Sequence, residues 1–307
     1  MGGYFRTFIL LAALSAIFAA VGYAIGGGGG AVVALLMAAG MNLFAWWGSA
    51  GAVLRMNNAQ PVSEAEAPRL YAMVRQLADR AGLPMPALYV IHEDQPNAFA
   101  TGRGPSDAAV AVNSGLLDLM DERQVAGVVA HELAHIKHRD TLVMSIAATL
   151  SGAIGMVAQF GGMFAMRGRD GQRNTNPIAG LLLVILGPIA ASIVQMAISR
   201  AREYEADREG AEICGDPEWL AGALERLETY AARAVNEGAE ANPATAHMFI
   251  INPLSGGLRG LFTTHPPTAE RVARLRAMRG GGGAMIAAAP RPTASPWAVP
   301  GRRNPWG

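Results

Sequence analysis

His131, Glu132 and His135 stand in the order H-E-x-x-H, late in the run Asp121–Asp140, where Val125, Val128, Val129, Leu133 and Ile136 recur at helical spacing. Residues four apart share one face of a helix, so His131 and His135 can aim two imidazoles at one point. A helix offers zinc two nitrogen ligands in this way. Glu132, beside the first of them, can reach a water on the metal and take its proton. Three of the six histidines in the chain, His131, His135 and His138, fall in this short stretch. A motif this short also arises by chance, so the rest of the chain must supply what it lacks.

What it lacks is a third protein ligand, with the fourth position left to water. A metzincin would carry Gly and His at fixed points after the motif, but His138 and Thr141 occupy those points here. Cys214 is the single cysteine, so there is neither a thiolate cluster nor an intramolecular disulfide. The best remaining source is the acidic stretch after residue 199. Glu203 and Asp207 lie four apart on one helical face, and Glu205 and Glu209 do so on another. Spacing alone does not choose between the pairs. In either, one carboxylate can bind zinc while the other hydrogen-bonds a ligand histidine.

The elements that must position these groups include membrane segments. The chain has 307 residues, 51% hydrophobic and only 16% charged, where soluble chains average about 25% charged. Its mean hydropathy is +0.22. A net charge of +1 argues against a nucleic-acid surface. Residues 8–25 and 31–54 are nearly all apolar and are separated by Gly26–Gly30. Each run is long enough to cross about 30 Å of hydrocarbon. Residues 1–56 therefore read as a transmembrane hairpin. Arg6 sits before its apolar runs and Arg55 after them, which places both ends in the cytoplasm by the positive-inside rule.

Residues 57–140 change character. Ser63–Ala81 reads as an amphipathic helix ended by Gly82 and Pro84. Ala87–Ile91, Asn97–Thr101 and Ala108–Asn113 read as short strands, giving a small α+β arrangement with the histidine helix. Residues 141–166 and 178–198 are apolar again, so 141–199 reads as a second hydrophobic hairpin. Arg167, Arg169 and Arg173 lie between its runs, an awkward place for a full crossing. Residues 200–279 are polar and helical, in Arg200–Ile213, Pro217–Ala234 and Thr268–Met278. Residues 280–307 are rich in Gly, Pro and Ala and read as a disordered tail. The histidine helix runs into the segment at 141, and the acidic helix leaves the one ending near 198. A hairpin between them would bring both halves of the site to one membrane face.

At this point the chain resembles the HtpX-type membrane zinc metalloproteases, of the same class as the membrane CAAX prenyl endopeptidases. The resemblance rests on Pro96–Gly102, on Ala130–His135, on Ser199–Asp207 and on His265–Arg271, in this order around two hydrophobic pairs. It implies a mainly α, integral-membrane protein: a zincin-like α+β domain with a small sheet and about four transmembrane helices. It implies one Zn2+ per chain, with Glu203 as third ligand, Asp207 as the partner of a ligand histidine and Glu132 as general base. Asn97, Ala98 and Phe99 resemble an edge strand that holds substrate by strand addition. His265 and Arg271 resemble residues that steady substrate or the developing oxyanion. Arg202 and Arg208 are placed to offset exposed acids, which suits Glu205 and Glu209 as solvated residues.

The implied activity is endopeptidase cleavage of membrane or misfolded proteins, linked to stress and quality control. The implied partners are protein or peptide substrates and the lipid bilayer, with no nucleic acid. The implied place is a bacterial cytoplasmic membrane, multi-pass, with the site facing the cytoplasm. Two rivals remain. One is a CAAX-type prenyl endopeptidase, against which four hydrophobic segments argue. The other is a catalytically silent scaffold or chaperone, which would have no need of Glu132.

Overall fold

The computed structural model describes residues 3–146, 200–232, 250 and 265–279. The expected second hydrophobic hairpin beyond residue 146 and the tail from 280 lie outside these described residues.

The apolar N-terminal run forms one helical element, α1 (Gly3–Met56), interrupted at Gly27, whose φ is +58°. Asn42 Nδ2 donates to Ser15 Oγ at 2.9 Å. On a straight helix those residues would stand about 40 Å apart. The two halves of α1 therefore lie side by side, folded back where Gly adopts the left-handed conformation that other residues resist. Among the described residues, one helix, Gly27–Met56, is long and apolar enough to cross a membrane.

The chain then forms β1 (Gln60–Pro61), α2 (Pro68–Ala81), β2 (Ala87–Ile91), β3 (Ala98–Gly102), a single 3-10 turn, β4 (Ala108–Asn113), α3 (Ser114–Leu119) and α4 (Glu122–Lys137). After the undescribed stretch come α5 (Arg200–Cys214), α6 (Pro217–Ala231) and α7 (Thr268–Arg279). The architecture is mainly helical around a small mixed sheet of order β1-β2-β4-β3. β2 and β4 run parallel, while β1 and β3 pair antiparallel at the two edges.

Local chemistry explains the boundaries. α2 starts at Pro68, later than the periodicity suggests, because Glu66 folds back to accept from Ser63 N and Oγ. It ends at Gly82, which takes the left-handed conformation at φ +69°. α4 starts at a capping box, in which Asp121 accepts from Gln124 N and Gln124 Oε1 accepts from Asp121 N. Such a cap contributes about 1 kcal/mol.

The sheet is apolar on both faces, which is why its strands lack clean alternation. Leu88, Val90, Ala98, Ala100, Val110 and Val112 face the main core with α2 and α4. Tyr89, Ile91, Phe99, Ala109 and Ala111 face the other way, onto Val53 and Leu54 at the end of α1. The root of the apolar hairpin thus packs directly on the sheet. Residues 141–146 are helical and join α1, with Leu142, Val143 and Ile146 packed around Ala45 and against Leu11, Phe18, Met41 and Trp46.

α4 is the central element. It packs against α2, α5, α6 and β3. Its Val125, Val128, Val129 and Leu133 are fully buried. Each such side chain contributes about 1.5–3 kcal/mol when removed from water.

Candidate metal centre

α4 presents His131 and His135 on its buried side, one turn apart, with their rings edge to face. α5 crosses α4 closely enough that a Cβ on Gly210 would meet His131 Cα and N at 2.9 Å. That approach carries Glu203, two turns before Gly210, to the histidines. The donors converge: His131 Nε2 and His135 Nε2 are 3.2 Å apart, and they stand 3.8 and 3.6 Å from the Glu203 oxygens. Zinc bonds of about 2.0–2.1 Å in tetrahedral geometry place their donors about 3.3 Å apart. The three side chains, all buried, have the donor set and spacing that zinc requires.

The outward nitrogens are also held. His131 Nδ1 lies 3.1 Å from Asp207 Oδ1, close but bent away from hydrogen-bond alignment. Asp207 is gripped by Arg271, whose Nε and Nη2 donate to its two oxygens at 2.8 and 2.7 Å. His135 Nδ1 lies 3.4 Å from Asp140 Oδ2. Asp140 in turn accepts from Arg202 Nη1 at 3.2 Å. These contacts leave both Nε2 atoms turned toward Glu203.

Electrostatics follow from burial among mixed charges. Burial lifts the Glu132 carboxyl above the usual carboxylate range, against the pull of His131 and His135 and a hydrogen bond from the Ala100 N–H. Burial pushes the Glu203 carboxyl the same way, yet His265, His135 and His131 hold it well below its ordinary value. Burial pulls the His135 imidazole down. Its hydrogen bond to Asp140 and the carboxylates of Glu203, Glu132 and Asp140 overcome this and raise it to about 9.

Glu132 points to the sheet edge. Its Oε2 accepts from Ala100 N at 2.8 Å. Asn97 O accepts from Asn113 N on the opposite side of the chain, so the even-numbered groups of β3 face away from β4. Gly102 O, on that outward edge, accepts from Thr141 Oγ1 at 3.0 Å. Asn97 lies just before β3, buried, with its Oδ1 accepting from Ile250 N at 3.3 Å. Ala98 faces the main core, and Phe99 turns to the α1 root.

His265 is buried beside Glu203, with Nδ1 2.8 Å from Glu203 Oε2. Its Nε2 is buried with no hydrogen-bond partner among the described residues. Arg271 is fully buried and spends its donors on Asp207 and on Ile250 O. It therefore braces Asp207 rather than presenting a free guanidinium.

Glu205 and Glu209 lie elsewhere. Glu205 pairs with Arg208 at 2.5 Å and Glu209 with Lys137 at 2.6 Å. With His138 their ligand atoms come within 4.8 Å of one another, but these cations already neutralise the acids. Arg208 thus acts as its spacing suggests. Arg202 does not, because it turns inward to Asp140. Asp140 and Arg202 are the site residues that sequence spacing misses. Asp140 stands five residues past His135, off any helical face it could share with that residue.

The model for peptidase family M48 matches residues 64–279. Among curated proteins, a protease HtpX homolog of Methylibium petroleiphilum is 56% identical over 274 residues, covering 89% of this chain and 96% of that protein. Protease HtpX homologs of Ralstonia pickettii and Burkholderia multivorans are 55% and 54% identical, covering 91% of this chain and 97% and 98% of theirs. The crystal structure of S. mikatae Ste24p aligns with a TM-score of 0.45 at 19% identity, over 78% of this chain and 57% of that one.

Proposed function

The chain belongs to peptidase family M48, and on that premise we propose that it is a membrane zinc endopeptidase that cuts membrane or misfolded proteins at the cytoplasmic face, in stress-linked quality control. One observation carries the catalytic half of this reading: His131, His135 and Glu203 converge at zinc-like spacing with Glu132 beside them. His131 Nε2, His135 Nε2 and a Glu203 oxygen would hold the ion. Bound zinc supplies a Lewis acid for the scissile carbonyl and lowers the pKa of water to about 7.

The remaining work falls to the protein. Glu132, with its proton affinity raised by burial, takes the proton of the attacking water and delivers it to the leaving amine. The outward edge of β3 aligns the substrate backbone by strand addition, a mode largely indifferent to sequence. The Ala100 N–H on that edge holds Glu132 in place. His265 presents its Nε2, without a hydrogen-bond partner among the described residues, close to the metal ligands, placed to steady negative charge developing on the carbonyl oxygen. Arg271 contributes by bracing Asp207.

The membrane half rests on α1. Phe8, Leu36, Phe44 and Trp47 are exposed along a helix without charges between Arg6 and Arg55. An apolar surface of this kind suits a lipid solvent. The arginines favour cytoplasmic roots, and the packing of the Val53–Leu54 root on the sheet keeps the metal centre near the bilayer.

The test is casein hydrolysis by the purified full chain in detergent, with and without a zinc chelator. Hydrolysis that stops on chelation and returns with zinc is expected. Hydrolysis indifferent to chelation, or absent from zinc-loaded protein, overturns the reading.

A further inference from the structure

Two carboxylates approach the metal histidines from behind, and they differ in what lies beyond them. Asp207 is on α5 itself and is braced by α7 through Arg271. Asp140 is reached only because the chain reverses after α4. Arg139 adopts the left-handed conformation at φ +60°, and the Asp140 N–H returns to His135 O at 3.0 Å. Had α4 continued, Asp140 would sit about 140° around the axis from His135. The reversal instead buries its carboxylate beside His135 Nδ1. Holding a non-glycine residue in this conformation costs backbone strain. That expense accompanies the one geometry that brings Asp140 back to the ligand.

Asp140 also starts the next element: its C=O accepts from Met144 N, and Thr141 and Ser145 bind that helix to β3. Its second carboxylate oxygen takes Arg202, in the first turn of α5. Asp140 and Arg202 therefore flank residues 147–199 in sequence and meet in space, both largely buried.

We propose that Asp140 and Arg202 form a clamp that joins the two roots of the 141–199 segment and positions His135 for the metal, so that metal affinity depends on those roots being held together. Asp140 acts on His135 directly, fixing its tautomer with Nδ1 protonated and Nε2 free. Arg202 acts only through Asp140, by holding the carboxylate beside His135 Nδ1. The inference rests on the reading that His131, His135 and Glu203 bind zinc.

The experiment is zinc titration of the full chain in detergent by competition with a chelating dye. It uses Asp140→Ala, Arg202→Gln and the double variant, with the metal-free melting temperature recorded for each. Asp140→Ala is expected to weaken zinc binding about 10- to 100-fold. Arg202→Gln should weaken it several-fold in the native background and not at all in the Asp140→Ala background, because its only route is removed. Arg202→Lys should recover part of the loss. A merely structural arginine would show the same effect in both backgrounds, and that result overturns the clamp. Zinc affinity unchanged in Asp140→Ala overturns it as well. If Asp140→Ala melts too early to titrate, Asp140→Asn, which keeps shape and an acceptor oxygen, takes its place and must bind zinc more weakly than the native protein, or the proposal fails. A native chain that binds no zinc would instead defeat the assignment of the metal site itself.

Discussion

Replacing Gly210 with alanine should loosen the metal centre without touching any ligand. Gly210 is where α5 rests on α4, and an added Cβ would lie 2.9 Å from both Cα and N of His131, with Ala130 C at 3.2 Å. Ordinary contact begins at 3.4 Å. Backbone atoms on both sides cannot swing aside, so α5 must withdraw by about half an ångström or more, carrying Glu203 with it. Metal–ligand distances tolerate only about 0.2 Å. Metal-free protein can absorb the shift, whereas the zinc-bound form must pull Glu203 back against the new contact. Overpacking of this kind costs about 1–3 kcal/mol, of which 1.4 is tenfold in affinity. Zinc binding should therefore weaken roughly tenfold or more in Gly210→Ala, measured by chelator competition. Gly127→Ala is the control. Its Cβ would meet Leu220 N at 2.6 Å, but α6 carries no ligand and can yield. It should lower the melting temperature while leaving zinc affinity within about twofold. Equal zinc affinity in native and Gly210→Ala protein would refute the claim that the α4–α5 contact sets the Glu203 position.

Glu203→Ala should lose zinc and peptidase activity together, whereas Glu205→Ala should keep both, with a stability change within about 0.5 kcal/mol. Atomic absorption on the two proteins decides it, and the opposite pattern would put the wrong carboxylate at the metal. The pH dependence follows from His135, raised in the folded protein from 6.5 to about 9. A raised histidine contributes stability that is full below 6.5 and lost as pH climbs through about 9, so chelated protein should melt earlier across that window. Zinc needs the neutral imidazole, so apparent zinc affinity should strengthen over the same interval; flat profiles in both would contradict the buried His135–Asp140 pair. Single cysteines in a Cys214→Ser background report topology. One at Gly28 should label from outside the cell and one at Asn58 should not, and the reverse pattern would move the site out of the cytoplasm.

The sequence displays local chemistry more readily than contacts made by tertiary folding. His131, Glu132 and His135 are visible because one helical turn fixes their relation, whatever the fold around them. Glu203 stands 68 residues beyond His135, and helical spacing could only narrow the choice to two faces. The tertiary contact at Gly210 selects one of them. Asp140 is hidden more deeply, because reaching His135 depends on a left-handed Arg139, a conformation that arginine does not advertise. Arg202 looks like a surface cation in a run of mixed charge and is turned inward by Asp140. Arg271 resembles a substrate contact by its place after His265, yet the fold commits it to Asp207. β1 spans only two residues, too short for any periodic signal, and exists because β2 offers it an edge. The start of α2 shifts to Pro68 because Ser63 and Glu66 satisfy each other in a turn first.

The most direct test of the central claim is Glu132→Gln, assayed for zinc content and peptide hydrolysis on the same purified sample. Gln keeps the shape of the side chain but cannot take a proton, and the side chains placed to hold a metal are three other residues. Zinc should remain near one per chain while chelator-sensitive hydrolysis falls by at least about a hundredfold. Turnover retained at the native level in zinc-loaded Glu132→Gln would contradict the assignment of Glu132 as the base.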